Sequence, residues 1–309
     1  MKILIADDDA VSRLLMQRTL EKFGYEVVLA EDGRAAVEIL SQPDGPRLAL
    51  IDWMMPRLDG LGLCREIRST RGDGAYVYIL LLTSRQDAAD VVAGLEAGAD
   101  DYITKPCPPA VLRARLHTGL RILSLEETLI KAREEMRFKA THDALTSLSN
   151  RASILSTARH ELRRSVREGR PFSLLLCDVD HFKRVNDEHG HLAGDIVLKE
   201  VARRLASSVR DYDAVGRYGG EEFLILLSNC DEKCLRMRSE NLLAAIASTP
   251  VQAGDIELSV SISIGAMACC FSSADISLES ILAQADAALY CAKAEGRNRA
   301  VLAASLIAA

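Results

Sequence analysis

The 309-residue chain is 49% hydrophobic and 27% charged, with a formal net charge of −6, which suits two domains of ordinary size with real cores. Basic and acidic residues divide equally on either side of residue 141, so neither half is a basic nucleic-acid-binding domain. No apolar run approaches the ~18 residues of a membrane helix, and the N-terminus has no signal-peptide pattern.

Short apolar strands are expected at 3–6, 26–29, 48–51, 77–82 and 101–104, with helical periodicity between them, as at 12–23 and 34–40. Strand and helix alternating five times argue a parallel sheet covered on both faces, with a site beyond the carboxyl ends of its strands. From 110 to about 140 the only glycine is Gly119, and Leu112, Leu116, Leu120, Leu123 and Ile130 recur among charges. This reads as one long amphipathic helix that runs past the first domain's core and expects a partner helix. The organisation expected is a first domain over 1–122, a helical stalk over 112–141 and a second domain over 142–309. In the second domain, helices are expected at 151–168, 191–208, 232–248 and 278–294. Strands are expected at 172–178, around GRYGGEEF, at 256–268 and at 299–302. That mixture argues an α+β sheet with helices on one face. The eight cysteines are scattered. Only Cys230 and Cys234 are spaced like ligands, and no histidine pair completes a zinc site, so the thiols read as reduced in a soluble, cytoplasmic protein.

Asp7, Asp8 and Asp9 close the first strand, Asp52 the third, Thr83 the fourth and Lys105 the fifth. Carboxylates crowded at one sheet edge call for a divalent cation with oxygen ligands, such as magnesium. Beside it a lysine and a hydroxyl can hold phosphoryl oxygens, which describes an aspartate phosphorylated by an external donor. Asp9 alone reads better as a helix cap. With ILIADDD, LIDWMMPRLDG, LLTS and DDYITKP in place, residues 1–122 resemble the receiver domains of two-component response regulators, a flavodoxin-like fold. The resemblance implies Asp52 as phosphoacceptor, and magnesium on Asp7, Asp8, Asp52 and the Met54 carbonyl. It implies Thr83 and Lys105 on the phosphoryl group, Tyr102 as the aromatic switch, and a histidine kinase as partner.

In the second domain SLLLCDVDHFKRVND ends a strand with Asp178 and Asp180, which point the same way if the strand continues. GRYGGEEF supplies Glu221 and Glu222. Gly219 and Gly220 would let a nucleotide reach the backbone, since no side chain blocks it. Lys293 and Arg297, read as one helical turn apart, could clamp a triphosphate. Asn186 and Asp195 flank HGHLAGD, and an aspartate can accept from both N–H edges of guanine. No Walker-type loop is present. Each feature alone has a bland reading as hairpin, cap or solvated face. Together with DALTSLSNR and AKAEGRNR they resemble the GGDEF family of diguanylate cyclases over about residues 141–304, with Ser147 where glycine is usual.

This second resemblance implies an adenylyl-cyclase-like palm fold with catalytic Asp178, Glu221 and Glu222. It implies magnesium on Asp178, the Val179 carbonyl and Glu221, two ions being present with GTP. Phe182 and Lys183 would meet the triphosphate through backbone groups, Lys293 and Arg297 through side chains, while Asn186 and Asp195 read guanine. Arg210 and Asp213 of RDYD stand where the family has its inhibitory product site, with Arg236 and Arg238 as candidates for a bridging arginine. The reading is a phosphorylation-regulated, dimeric diguanylate cyclase making cyclic di-GMP from two GTP, dimerising through receiver and stalk. A non-catalytic GTP or cyclic di-GMP binding module is the alternative, which degenerate GG(D/E)EF residues would favour. A DNA-binding regulator fits neither the charge nor the absence of a helix-turn-helix pattern.

Overall fold

The computed structural model describes residues 1–70, 76–84, 88–269 and 277–303. The chain divides into two compact units, Met1–Glu134 and Glu135–Ala309.

The first unit holds strands β1 (Lys2–Ala6), β2 (Glu26–Ala30), β3 (Leu48–Asp52), β4 (Tyr78–Thr83) and β5 (Asp101–Thr104), with helices α1 (Ala10–Lys22), α2 (Gly33–Leu40), α3 (Gly60–Thr70), α4 (Ala88–Glu96) and most of the long α5 (Pro109–Thr141), whose last residues belong to the second unit. All strand pairs are parallel, in the order β2-β1-β3-β4-β5. Successive strand residues feed opposite faces. Leu4, Ala49, Ile51 and Leu81 meet α2 and α3 through Ala36, Leu40, Leu63 and Ile67. Ile3, Ile5, Leu50 and Leu80 meet Leu20 of α1 and Leu112, Leu116 and Leu123 of α5.

That second contact corrects the expected stalk stripe. Leu112, Leu116, Leu120 and Leu123 cover the unit's own sheet and are not free for a partner. Gly119 lies on the same face, where an added Cβ would stand 2.7 Å from the Tyr78 ring. The glycine lets the helix approach the sheet. Ile130, the last member of the expected stripe, stays exposed, and Ile122, Leu125, Leu129 and Met136 form a separate exposed row.

The second unit holds α6 (Arg151–Glu168), β6 (Phe172–Val179), α7 (Phe182–Ser207), β7 (Ala214–Arg217), β8 (Glu222–Ser228), α8 (Glu232–Ala247), β9 (Val251–Ala253), β10 (Ile256–Leu258), β11 (Ile262–Cys269), α9 (Leu278–Ala294) and β12 (Ala300–Leu302). Its main sheet runs β12-β11-β6-β8-β7, antiparallel except for β11 with β12. Helices cover both faces, not one. Ile154, Ala158, Ile281 and Leu289 of α6 and α9 pack on Leu174, Leu176, Leu224 and Leu226. Val197, Val201, Leu235 and Ile246 of α7 and α8 pack on Leu175, Cys177, Ile225 and Leu227. The unbroken apolar runs of β6 and β8 carry this signal, because a strand buried on both faces does not alternate. The expected strand 256–268 divides into β10, which pairs with β9 in a separate hairpin, and β11. The expected helix 191–208 is the second half of α7, which starts at Phe182 and breaks at Gly190, where φ is 80°.

Candidate functional site

In the first unit, β1, β3 and β5 bring the expected groups to one edge. Oxygens of Asp7, Asp8 and Asp52 lie within 4.8 Å of one another. Lys105 Nζ reaches Asp52 Oδ1 at 2.6 Å and Asp7 Oδ2 at 2.9 Å. Ser12 Oγ also donates to Asp7 Oδ2 (2.7 Å), and Asp9, as expected, caps α1 by accepting from the Val11 and Ser12 amides. Burial pushes the Asp52 carboxyl above its ordinary range; Lys105 opposes this, and Asp7 and Asp8 add to it. Burial alone would lower Lys105, but its bonds to Asp52 and Asp7 outweigh that and raise it. Three carboxylates against one ammonium leave negative charge in a half-buried pocket, and that donor set fits a hard divalent cation.

Thr83 is buried at the end of β4, next to Leu82, which pairs with Asp52. Met54 is exposed in the loop after β3, a loop held by Trp53 N donating to Leu82 O and Gly60 N donating to Trp53 O, both at 2.9 Å. The Tyr102 ring is half-buried against the core on the α2–α3 side.

In the second unit Asp178, buried near the end of β6, pairs across the sheet with Glu222 of β8. Glu221 comes to the same end, its carbonyl accepting from Val179 N at 3.3 Å. The β7–β8 turn closes with the Tyr218 and Gly219 amides donating to Glu222 O. A Cβ on Gly219 would collide with the Glu222 carboxylate, and beside Gly220 the space is open. Neither glycine has a positive φ, so both serve by leaving room. Burial raises the carboxyls of Asp178, Glu221 and Glu222; Asp178 further raises both glutamates, and Asp180 raises Asp178. Lys293 opposes the shift in all three, with its Nζ 2.7 Å from Asp178 Oδ2. One cation among raised carboxyls fits a site completed by a metal.

Phe182 and Lys183 open α7 directly after this strand end. The Phe182 ring is in the core, and His181 at the cap position makes no side-chain cap bond. The first amides of the helix are therefore not capped by the His181 side chain. Asn186 and Asp195 straddle the Gly190 break, and Asn186 lies where a Cβ on Gly194 would stand.

Two sequence expectations need correction. Arg297 is not one helical turn beyond Lys293: α9 ends at Ala294, and Arg297 has φ 63° in the following turn, although its charge still reaches Asp178. Asp180 is not a second free carboxylate: it accepts from Ser261 Oγ and Ser263 Oγ (both 2.6 Å) and from Asn298 N (3.0 Å). RDYD forms a turn ahead of β7, with Asp213 N donating to Arg210 O at 2.9 Å. Asp213 is buried and accepts from Ser228 N and Arg238 Nη2, each at 3.3 Å, so Arg238 is already engaged within the unit. Arg236 pairs with Glu232. Arg210 is exposed and stacks over Tyr212.

Sequence reasoning passed over Asp143 and Arg217, although both lie inside the motifs DALTSLSNR and GRYGGEEF. Arg217 Nη1 meets both Asp143 oxygens at 3.0 and 3.2 Å. In the same loop Ser147 has φ 58°, the left-handed region that favours the glycine usual there.

The family model described as "Diguanylate cyclase, GGDEF domain" matches residues 140–299, and that of the response regulator receiver domain matches 3–117. Over 305 residues, 97% of this chain, the sequence is 31% identical to the response regulator PleD of Caulobacter vibrioides. The chain spans 65% of PleD's length. It is 42% identical over 166 residues to the diguanylate cyclase DgcP of Pseudomonas aeruginosa, covering 54% of this chain and 24% of that one. Among solved structures it resembles the coiled coil and GGDEF domain of DgcB from Caulobacter crescentus, in complex with c-di-GMP. That match has TM-score 0.55 and 28% identity and covers 62% of this chain and 99% of that one. The diguanylate cyclase SiaD of Pseudomonas aeruginosa, solved with its activator SiaC, matches with TM-score 0.52 and 35% identity, over 62% of this chain and 76% of that one.

Proposed function

The chain belongs to the diguanylate cyclase GGDEF family, and from that membership we propose a phosphorylation-controlled enzyme that condenses two GTP into cyclic di-GMP and two pyrophosphates. The observation that carries this reading is the meeting of Asp178 and Glu221 beside the open Gly219–Gly220 turn. The 3′-hydroxyl of each GTP attacks the α-phosphate of the other; a P–O bond forms, the bond to pyrophosphate breaks, and the hydroxyl proton is lost. Asp178, the Val179 carbonyl and Glu221 would hold magnesium, which neutralises charge on the transferring phosphoryl group. Glu222 lies against the reacting centre, the first amides of α7 and the side chains of Lys293 and Arg297 bind phosphates, and Asn186 and Asp195 read guanine.

One palm domain binds one GTP, so two copies of the chain must face each other. The apolar row on α5 supports dimerisation through the stalk. In the first unit Asp52 accepts a phosphoryl group from a histidine kinase, with magnesium on Asp7, Asp8, Asp52 and the Met54 carbonyl, and Thr83, Lys105 and Tyr102 respond. Arg210 and Asp213 bind product. The DgcB structure, solved with c-di-GMP, supports a product-binding role for such a domain. Incubation with GTP and magnesium, with and without a phosphoryl mimic, followed by mass spectrometry of the nucleotides tests the reading. The expected result is cyclic di-GMP in both arms and more with the mimic. GTP bound but unchanged would make the chain a non-catalytic module.

A further inference from the structure

The peptide between Gly220 and Glu221 is gripped from one side by a chain of bonds that begins at the end of α5. Arg217 Nε and Nη2 donate to Gly220 O at 3.0 and 2.6 Å. The third nitrogen, Nη1, is held by both oxygens of Asp143. Asp143 is itself fixed by the Thr146 amide (2.9 Å) and hydroxyl (2.8 Å). Burial works against its charge, but these bonds and the guanidinium hold its carboxyl below the usual range. The loop carrying Asp143 is fastened to the last turn of α5: Asn150 Nδ2 donates to Ala140 O (2.8 Å), Asn150 N to Thr141 O (2.9 Å) and His142 N to Phe138 O (2.8 Å). The next carbonyl along, Glu221 O, accepts from Val179 N at 3.3 Å.

We propose that Arg217 is a positioning residue for Glu221, and that the Asp143–Arg217–Gly220 chain carries movement of the α5 terminus to the metal-binding turn. The inference rests on the proposed cyclase reading and deepens it. A planar fork is required, because one guanidinium must satisfy a carboxylate and a carbonyl at once. A lysine, with a single ammonium, can keep the ion pair but cannot span both. All the side-chain contacts that Arg217 makes here go to Asp143 and Gly220 O, so the role assigned to it is to set where Glu221 stands.

The test uses the full chain and the variants Arg217→Lys and Asp143→Asn, with the parent in every assay. Melting temperature, kcat, KM and the magnesium dependence of binding a non-hydrolysable GTP analogue by calorimetry are measured. The expected result for Arg217→Lys is a melting temperature within about 3 °C of the parent, the scale of a ~1 kcal/mol change. Its kcat falls at least tenfold with KM nearly unchanged. Nucleotide affinity without magnesium stays the same, while the gain on adding magnesium is lost. Asp143→Asn, which leaves Arg217 in place but unanchored, shows the same pattern more weakly. If both variants keep kcat and the magnesium-linked gain within twofold of the parent, the inference is overturned, whatever happens to melting. A parent that forms no cyclic di-GMP overturns the cyclase reading instead, and the calorimetric arm still decides the role of Arg217.

Discussion

Glu222 starts β8 with its carboxyl raised by burial and then by Asp178, in a turn whose glycine leaves room for it. Glu222→Gln preserves size and hydrogen bonding and removes the charge. Turnover of GTP to cyclic di-GMP is expected to fall by at least about a hundredfold, the scale of losing a general base or an electrostatic group at the reacting centre; near-normal product formation would show that the residue only shapes the turn. At this scale the sequence was legible wherever a motif is local. Glu221 and the two glycines lie in the single β7–β8 hairpin, and Asp178 lies in a local motif of its own at the end of β6, which α7 and β7 separate from β8. Asp180 was misread because its partners Ser261, Ser263 and Asn298 come from about 80 to 118 positions away, where no spacing rule reaches. Arg297 was misread although the signal was present: Gly296 with φ 115° follows the end of α9, and a glycine just past a helix terminates the periodicity that seemed to include Arg297.

Helix α5 shows how an element can be found correctly and its face assigned wrongly. Its span was read within a residue at each end, since long helical periodicity is a strong signal. Its leucine stripe was assigned to a partner helix, yet Leu112, Leu116 and Leu123 are consumed by the sheet they must cover first. The exposed row Ile122, Leu125, Leu129 and Met136 advances by three, four and seven residues, which is heptad spacing. Leu129→Asp is therefore expected to shift the mass measured by sedimentation equilibrium toward monomer, and cyclase activity should fall with it. Its melting temperature should stay near the parent's, because the side chain is 69% exposed. Leu116→Ala, in the core, is expected instead to cost ~2–5 kcal/mol of stability. A Leu129→Asp protein that remains dimeric at every concentration would place the interface on another surface. The reading of helices on one face of the second sheet failed for a related reason. Hairpins suggested a half-solvated sheet, but the unbroken apolar runs of β6 and β8 demanded cover on both sides.

The two-domain plan follows from composition and periodicity, because each half repeats its own pattern of elements; control over the whole molecule depends on equilibria that no pattern displays. The proposed product feedback is one. Asp213 is held by Ser228 and Arg238, whereas Arg210 is exposed and held only by Tyr212 next to it in the turn, so Arg210 is the group able to turn a fork onto a phosphate or stack on guanine. Arg210→Ala should leave the initial rate nearly unchanged and keep the progress curve linear for longer. Equal inhibition of variant and parent when cyclic di-GMP is titrated into each would remove the turn from the mechanism.

The proposed activation by phosphorylation is the second equilibrium, and it would start from an ion pair. Lys105 bridges Asp52 and Asp7 in the resting pocket. A phosphoryl group on Asp52 adds charged oxygens that compete for that ammonium and for the Thr83 hydroxyl at the end of the neighbouring strand. In the proposed switch, drawing Thr83 toward the phosphoryl group would change the surroundings of Tyr102, whose strand β5 pairs with β4, and would bias two states of the receiver surface. A ligand shifts such an equilibrium only by its differential affinity for the two states, and coupling of ~1–3 kcal/mol corresponds to roughly 5- to 150-fold in activity. Asp52→Asn keeps the size of the side chain but removes both the acceptor carboxylate and the strongest partner of Lys105. Its basal rate may be compared directly with the parent's, and addition of a phosphoryl mimic should raise cyclic di-GMP production by the parent within that range while leaving the variant unchanged. Equal activation of both proteins would mean that the mimic acts somewhere other than the Asp7–Asp52–Lys105 pocket.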